Sequence, residues 1–218
     1  MIVIATYDDI KILKRLLDSL KITNNLDEEV LVIGTDISKK NMVEFLEHIS
    51  KNKPYEFPIK VDFTPYKGYD SGAYIFAYKN YLADYYLFMQ DSLSIKSPKW
   101  LDFFKSHRDE NSLNAWATFP MRFMSYHQYS LIVKKIIKPI KRPPYGIFGP
   151  IFQISKNGLN KIDKKHDLSR FIPQNKLMQE GMERGWAYLA YNSGLQITSL
   201  EEIQNDKVCF NKYFYRRK

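Results

Sequence analysis

The chain has 218 residues, 44% hydrophobic and 15% aromatic, with a formal net charge of +9. That length suits one α/β domain that hides roughly 70% of its unfolded surface, which excludes a disordered or fibrous chain. One cysteine, Cys209, excludes an intramolecular disulfide framework, no run approaches the ~18 apolar residues of a membrane span, and the positive charge points to nucleotide phosphates, nucleic acid or an anionic membrane.

The opening MIVIATYDDI reads as a buried strand over residues 1–5, without the basic and apolar regions of a signal peptide. Thr6-Tyr7-Asp8-Asp9 follows as a turn in which Asp8 or Asp9 caps a helix. That helix carries Ile10, Leu13, Leu16, Leu17 and Leu20 at helical spacing and closes at Asn24-Asn25. Residues 29–34 (EVLVIG) form the second strand, with Thr35-Asp36 at its end. Val43, Phe45, Leu46 and Ile49 predict a helix over 41–49, and a third strand spans 59–63. The Gly-rich stretch from Tyr66 to Gly72 then leads into a helix from Ala73 to about Leu82. Either Asp70 or Ser71 is its expected cap. Residues 84–89 (DYYLFM) form the fourth strand, which runs into Gln90-Asp91-Ser92.

Strand and helix alternate four times in ninety residues. This predicts a mostly parallel sheet flanked by helices, a Rossmann-like α/β arrangement, with ligands bound at the C-terminal strand ends. The second half is less regular. A helix starts at Trp100, short strands are expected over 115–119 and 147–154, and helices over 157–162 and 175–191. Residues 128–144 are basic, apolar and broken by proline.

Asp91 follows a buried strand on the ligand side of such a sheet. Its carboxylate can hold a divalent cation whose remaining ligands come from phosphates, with Gln90 and Ser92 adding neutral oxygens. A capping role for Asp91 is the plainer alternative.

Thr6-Tyr7-Asp8, Asp36 and Gln90-Asp91-Ser92, in that order, resemble the nucleotide-sugar site of GT-A glycosyltransferases. Gln-Asp-Ser stands where that family usually carries Asp-X-Asp. Lys67-Gly68-Tyr69-Asp70-Ser71-Gly72-Ala73-Tyr74 followed by Gln90-Asp91-Ser92 also resembles small viral, capsule-polysaccharide and rhamnan-synthesis-type glycosyltransferases, over about residues 1–105. The resemblance implies a single GT-A-like domain over residues 1–218. Residues up to about 105 would be its nucleotide-sugar half and 106–218 its acceptor half. The implied activity is hexosyl transfer from a UDP- or GDP-linked donor to a glycan, glycoprotein or lipid-linked acceptor, assisted by Mn²⁺ or Mg²⁺.

By the same resemblance, Tyr7 borders the nucleotide base, Ala5 and Thr6 present backbone to it, and Asp36 bonds the base or ribose. Lys67 neutralises phosphate, and Gly68 and Gly72 permit close approach. Asp70 fixes the turn or binds the sugar's hydroxyls, Gln90 joins the donor site, and Asp91 is the metal ligand. The run Met182-Glu183-Arg184-Gly185-Trp186 resembles the acidic helix beside the acceptor, which makes Glu183, and after it Glu180, the candidate catalytic base. The expected setting is cytoplasmic. The basic segment from Lys134 to Arg142 reads equally as a peripheral membrane contact, a mobile acceptor loop or a solvated face.

Competing readings are a basic nucleic-acid-binding protein, a nucleotidyltransferase and an inactive sugar-nucleotide-binding relative. No nucleic-acid-binding motif is present, and carboxylates at successive strand ends repel a polyphosphate backbone. A nucleotidyltransferase needs a Gly-rich basic loop after the first strand, which Thr6-Tyr7-Asp8-Asp9 does not supply. The departures from Asp-X-Asp keep the inactive relative in view. Tyr145-Gly146-Ile147-Phe148-Gly149-Pro150 reads equally as an acceptor-side wall or as a plain turn into a strand. His127 and His166 lack spaced partners and are taken as non-catalytic.

Overall fold

A computed structural model describes residues 1–24, 26–66, 69–116, 118–120, 132, 134–135, 140–147, 151–200 and 210–212. The first four strands are β1 (Ile2–Thr6), β2 (Val30–Gly34), β3 (Ile59–Phe63) and β4 (Tyr85–Gln90). Between them run helices α1 (Ile10–Leu20), α2 (Lys40–Asn52) and α3 (Asp70–Asn80). Then come β5 (Leu93–Ile95), α4 (Trp100–Ser106), β6 (Ser112–Ala115), β7 (Thr118–Pro120), β8 (Tyr145–Ile147) and β9 (Ile151–Ser155). The described chain ends with α5 (Lys156–His166), a 3₁₀ turn (Leu168–Phe171), α6 (Lys176–Asn192), β10 (Gln196–Ser199) and β11 (Phe210–Lys212).

Seven strands form the main sheet in the order β10-β6-β9-β4-β1-β2-β3. β1 lies between β2 and β4, parallel to both, and β3 is parallel to β2. β9 alone runs against its neighbours β4 and β6, while β10 is parallel to β6. The expected mostly parallel α/β sheet is therefore what forms. β3 is half-buried as the edge strand. Two small antiparallel pairs, β7 with β8 and β5 with β11, stand apart from it.

Alternation along β1 sends Ile2 and Ile4 to one face and Val3 and Ala5 to the other. The first face packs on α1, α2 and α4 through Leu13, Leu16, Leu46, Trp100 and Phe104. The second packs on α3, α5 and α6 through Ala73, Tyr74, Leu159, Ile162, Met182 and Trp186. Five-residue strands buried on both sides, as in β1 and β2, read as continuous apolar runs for this reason.

Several boundaries depart from expectation. α3 begins at Asp70 rather than Ala73, and its N-cap is Tyr69, whose side chain makes no capping bond. Neither Asp70 nor Ser71 caps it, because both side chains are used in bonds to other elements. The strand expected over 115–119 is two strands in different sheets, β6 and β7, and that over 147–154 divides between β8 and β9. α5 extends to His166, well beyond the expected 157–162. Asp9, not Asp8, caps α1 by accepting from the Ile12 amide at 3.1 Å, and α1 ends at Leu20, before Asn24. Among the described residues no helix is long and apolar enough to cross a membrane. Cys209, His127 and residues 213–218 lie outside the described residues.

Candidate active site

The parallel register of β1, β2 and β4 brings their C-terminal ends to one rim. Thr6 pairs with Gly34 on one side, and Ala5 with Gln90 on the other. At this rim the Thr6 carbonyl accepts from both the amide and the hydroxyl of Thr35, each at 2.9 Å. The Thr6 hydroxyl donates to Asp91 Oδ2 at 2.8 Å, and the Asp91 amide donates to the Ala5 carbonyl at 3.2 Å. Thr6 thus ties the ends of all three strands together. Burial pushes the Asp91 carboxyl up to about 6. The Thr6 and Tyr7 hydrogen bonds oppose that rise, and the charges of Asp9 and Asp8 add to it.

Tyr7 and Asp36 sit on the same rim. Lys39 Nζ lies 5.0 Å from the centre of the Tyr7 ring and 3.7 Å from Asp8 Oδ2. It is a cation that the sequence pattern did not single out, carried on the turn into α2. Asp36 Oδ1 accepts from the Ser38 amide at 2.9 Å and the Ser38 hydroxyl at 2.6 Å, which shapes the loop after β2.

A second set of bonds crosses from the rim to α6. Gln90 Nε2 donates to Asp70 Oδ2, and Gln179 Nε2 reaches the same oxygen at 3.4 Å. Gln179 Oε1 accepts from the Ser71 amide at 3.2 Å, and Trp186 Nε1 donates to the Ser71 hydroxyl at 3.2 Å. The start of α3 is therefore held between β4 and α6 by side chains from both. Gln179, buried on α6, was missed at the level of sequence. Its signal is its position: residues 179, 182, 183 and 186 share one helix face, and a glutamine among Met182 and Trp186 is a polar residue on an apolar stripe.

Both candidate glutamates lie on α6. Glu180 is partly exposed, its carboxylate 4.0 Å from Lys176. Glu183 is likewise partly exposed, and its charge reaches the buried Tyr74 hydroxyl together with those of Asp70 and Asp91. At Gly72 an added Cβ would stand 3.1 Å from the Tyr66 Cβ, so the glycine lets the start of α3 pack on that side chain. Lys67 and Gly68 lie outside the described residues, as do Phe148 and Gly149. Tyr145–Ile147 is a strand paired with β7. His166, the last residue of α5, is buried, with its pKa lowered to about 4 by burial and by the charges of Lys165 and Arg170.

Among the described residues no group of three His, Cys, Asp or Glu side chains is arranged to hold a metal ion. Asp91 is a single carboxylate drawn out of water, with Asp8 and Asp9 adding negative charge beside it. Such a group fits a divalent cation that brings most of its oxygen ligands from a diphosphate, rather than a protein-built cage. A separate cleft of about 480 Å³, lined by Met1, Glu28, Tyr85 and Arg108, lies at the opposite edge where β1 and β4 begin.

This architecture matches the GT-A fold, a central mostly parallel sheet flanked by helices. Three solved glycosyltransferase structures with that fold align with the chain. A mannosyltransferase from Pyrobaculum calidifontis, solved with GDP-mannose and Mn²⁺, is 13% identical with a TM-score of 0.55, over 91% of this chain and 53% of that one. TarS residues 1–349 from S. aureus, with UDP-GlcNAc, is 16% identical with a TM-score of 0.54, over 100% and 58%. GalNAc-T7 with UDP, GalNAc and Mn²⁺ is 13% identical with a TM-score of 0.59, over 90% and 41%. The chain thus spans about half the length of these neighbours. No family model matches it, and no curated protein matches it in sequence.

Proposed function

We propose that the chain is a glycosyltransferase that moves a hexose from a UDP- or GDP-linked donor to a glycan, glycoprotein or lipid-linked acceptor. Residues 1–105 would supply the donor side and 106–218 the acceptor side. The observation that carries this reading is the Thr6–Asp91 bond at the meeting of three parallel strand ends, where a desolvated carboxylate waits beside Asp8 and Asp9. GT-A neighbours solved with nucleotide sugars and Mn²⁺ support it at the level of the fold.

In this reading Tyr7 and Asp36 border the nucleoside, and Asp70, held by Gln90 and Gln179, faces the sugar. Asp91 would hold Mn²⁺ or Mg²⁺. When bound, the cation offsets the charge that develops on the departing diphosphate. An acceptor oxygen forms a bond to the anomeric carbon as the bond to the diphosphate oxygen breaks, and Glu183 takes the acceptor's proton. Lys134 to Arg142 would reach an anionic membrane surface carrying the acceptor.

The deciding experiment is a panel of UDP- and GDP-sugars, with and without Mn²⁺, read by melting temperature and donor hydrolysis. At least one donor stabilises the protein in a Mn²⁺-dependent way, and Asp91→Ala removes the effect. A flat panel, with retention on heparin or DNA across a salt gradient, favours the nucleic-acid reading instead.

A further inference from the structure

Lys39 is anchored at its backbone and loosely held at its tip. Its amide donates to the Asp36 carbonyl at 3.2 Å, and its carbonyl accepts from the Met42 and Val43 amides at 2.9 and 3.0 Å. From this fixed root the side chain runs to the end of β1. There Nζ lies over the half-buried Tyr7 ring, 5.0 Å from its centre, and 3.7 Å from Asp8 Oδ2. The Lys39 and Asp8 side chains are 38% and 42% exposed, so a ligand at the rim reaches both from solvent. An ammonium over a surface ring and a long, solvated ion pair are each weak in water, and neither holds Lys39 against a stronger anion. The surroundings also call for a cation. Asp8 and Asp9 follow β1 directly, and Asp91 is bonded to Thr6 at 2.8 Å, so three carboxylates flank the end of this strand. A diphosphate arriving there meets charge of its own sign, and a lysine already among the carboxylates offsets it.

We propose that Lys39 binds the diphosphate of the donor, and that it leaves Asp8 and the face of Tyr7 to make that contact. The proposal rests on the glycosyltransferase reading and adds to it a residue and a movement. A diphosphate carries more negative charge than one carboxylate and offers several acceptor oxygens to the three N–H groups of the ammonium. The flexible stem of the lysine turns while its anchored backbone stays in place. As Nζ departs, the face of Tyr7 that it covered is open to the flat nucleobase. One side chain thus links the two ends of the nucleotide: the phosphates draw it off, and the base takes the surface it uncovers.

The test compares wild type with Lys39→Ala, using uridine, UDP, guanosine and GDP in the presence of Mn²⁺. Diphosphates are read by calorimetry and the weaker nucleosides by saturation-transfer NMR. Lys39 makes no side-chain capping bond to α2, so the substitution leaves the start of that helix intact. Lys39→Ala should bind the preferred diphosphate about tenfold more weakly, the effect of losing a hydrogen bond to a charged group. It should bind the matching nucleoside at least as tightly as wild type, because the Tyr7 face is already uncovered. A merely structural role lowers both affinities together, and that result overturns the proposal. Unchanged affinity for the diphosphate overturns it as well, and removes only the role of Lys39. If wild type binds none of the four probes, the glycosyltransferase reading falls and the role of Lys39 falls with it.

Discussion

The hydroxyl of Thr6 donates to Asp91 across 85 positions of chain, and in doing so it joins two strands and positions the carboxylate that the proposed donor site depends on. Because the same threonine's carbonyl also anchors Thr35, the rim behaves as one unit. A change at Asp91 can therefore be read as a change in charge, provided the hydrogen bond is kept.

Asp91→Asn keeps an oxygen for Thr6 and removes the charge. The folded carboxyl has its pKa raised to about 6 from 3.8, so the folded state binds the extra proton between those values. Stability from this group is full below pH 3.8 and is lost as pH rises through 6. Asp91→Asn should therefore be more stable than wild type by ~1–3 kcal/mol at pH 7.5 and no more stable at pH 4, measured by chemical denaturation. It should also lose the Mn²⁺-dependent stabilisation by a sugar nucleotide.

His166 behaves in the opposite sense over an overlapping window. Its folded pKa is lowered to about 4 from 6.5, so the unfolded chain takes up the proton first. Stability is lost as pH falls from 6.5 towards 4, by up to about 2–3 kcal/mol. His166→Gln should flatten that fall in a series of melts from pH 7.5 to 4.5. The wild-type profile is shallow where the His166 and Asp91 effects offset each other, and the two single variants separate them.

Gln179→Glu places a carboxylate against Asp70 while keeping an oxygen for the Ser71 amide. Like charges at that distance should destabilise the protein by ~1–2 kcal/mol at pH 8, with the penalty shrinking towards pH 5 as one of the pair takes up a proton. Gln179→Leu instead leaves the Ser71 amide unpaired and should cost a similar amount at every pH. Paired melts at pH 8 and pH 5 distinguish the two causes.

Glu183→Gln should lower turnover by ~10²–10⁴-fold with donor affinity unchanged, as expected when a general base is lost. Glu180→Gln, partly exposed beside Lys176, should stay within about threefold of wild type. Steady-state rates and donor binding, measured on the same preparations, check both. Equal losses in the two variants would remove Glu183 from its proposed role.

Residues with only local requirements were legible in the amino-acid sequence. Apolar runs such as IVIAT and VLVIG become doubly buried parallel strands wherever they occur in such an alternation. Strand alternation alone then puts Thr6, Asp36 and Asp91 at one edge. The stripe of Met178, Met182, Trp186 and Leu189 likewise needs only helical spacing to be seen as buried. Tertiary structure decided what depends on partners far along the chain. Asp70 looks like a helix cap until Gln90 and Gln179 claim its carboxylate, and Ser71 does so until Trp186 takes its hydroxyl. Glu180 and Glu183 stand three residues apart, only about 60° of helix rotation, so helical spacing alone does not tell them apart. A contact between residues far apart in the chain leaves no periodicity in the sequence, and for that reason Lys39 beside Tyr7, and the bond of Gln179 to Asp70, emerged only from the folded chain.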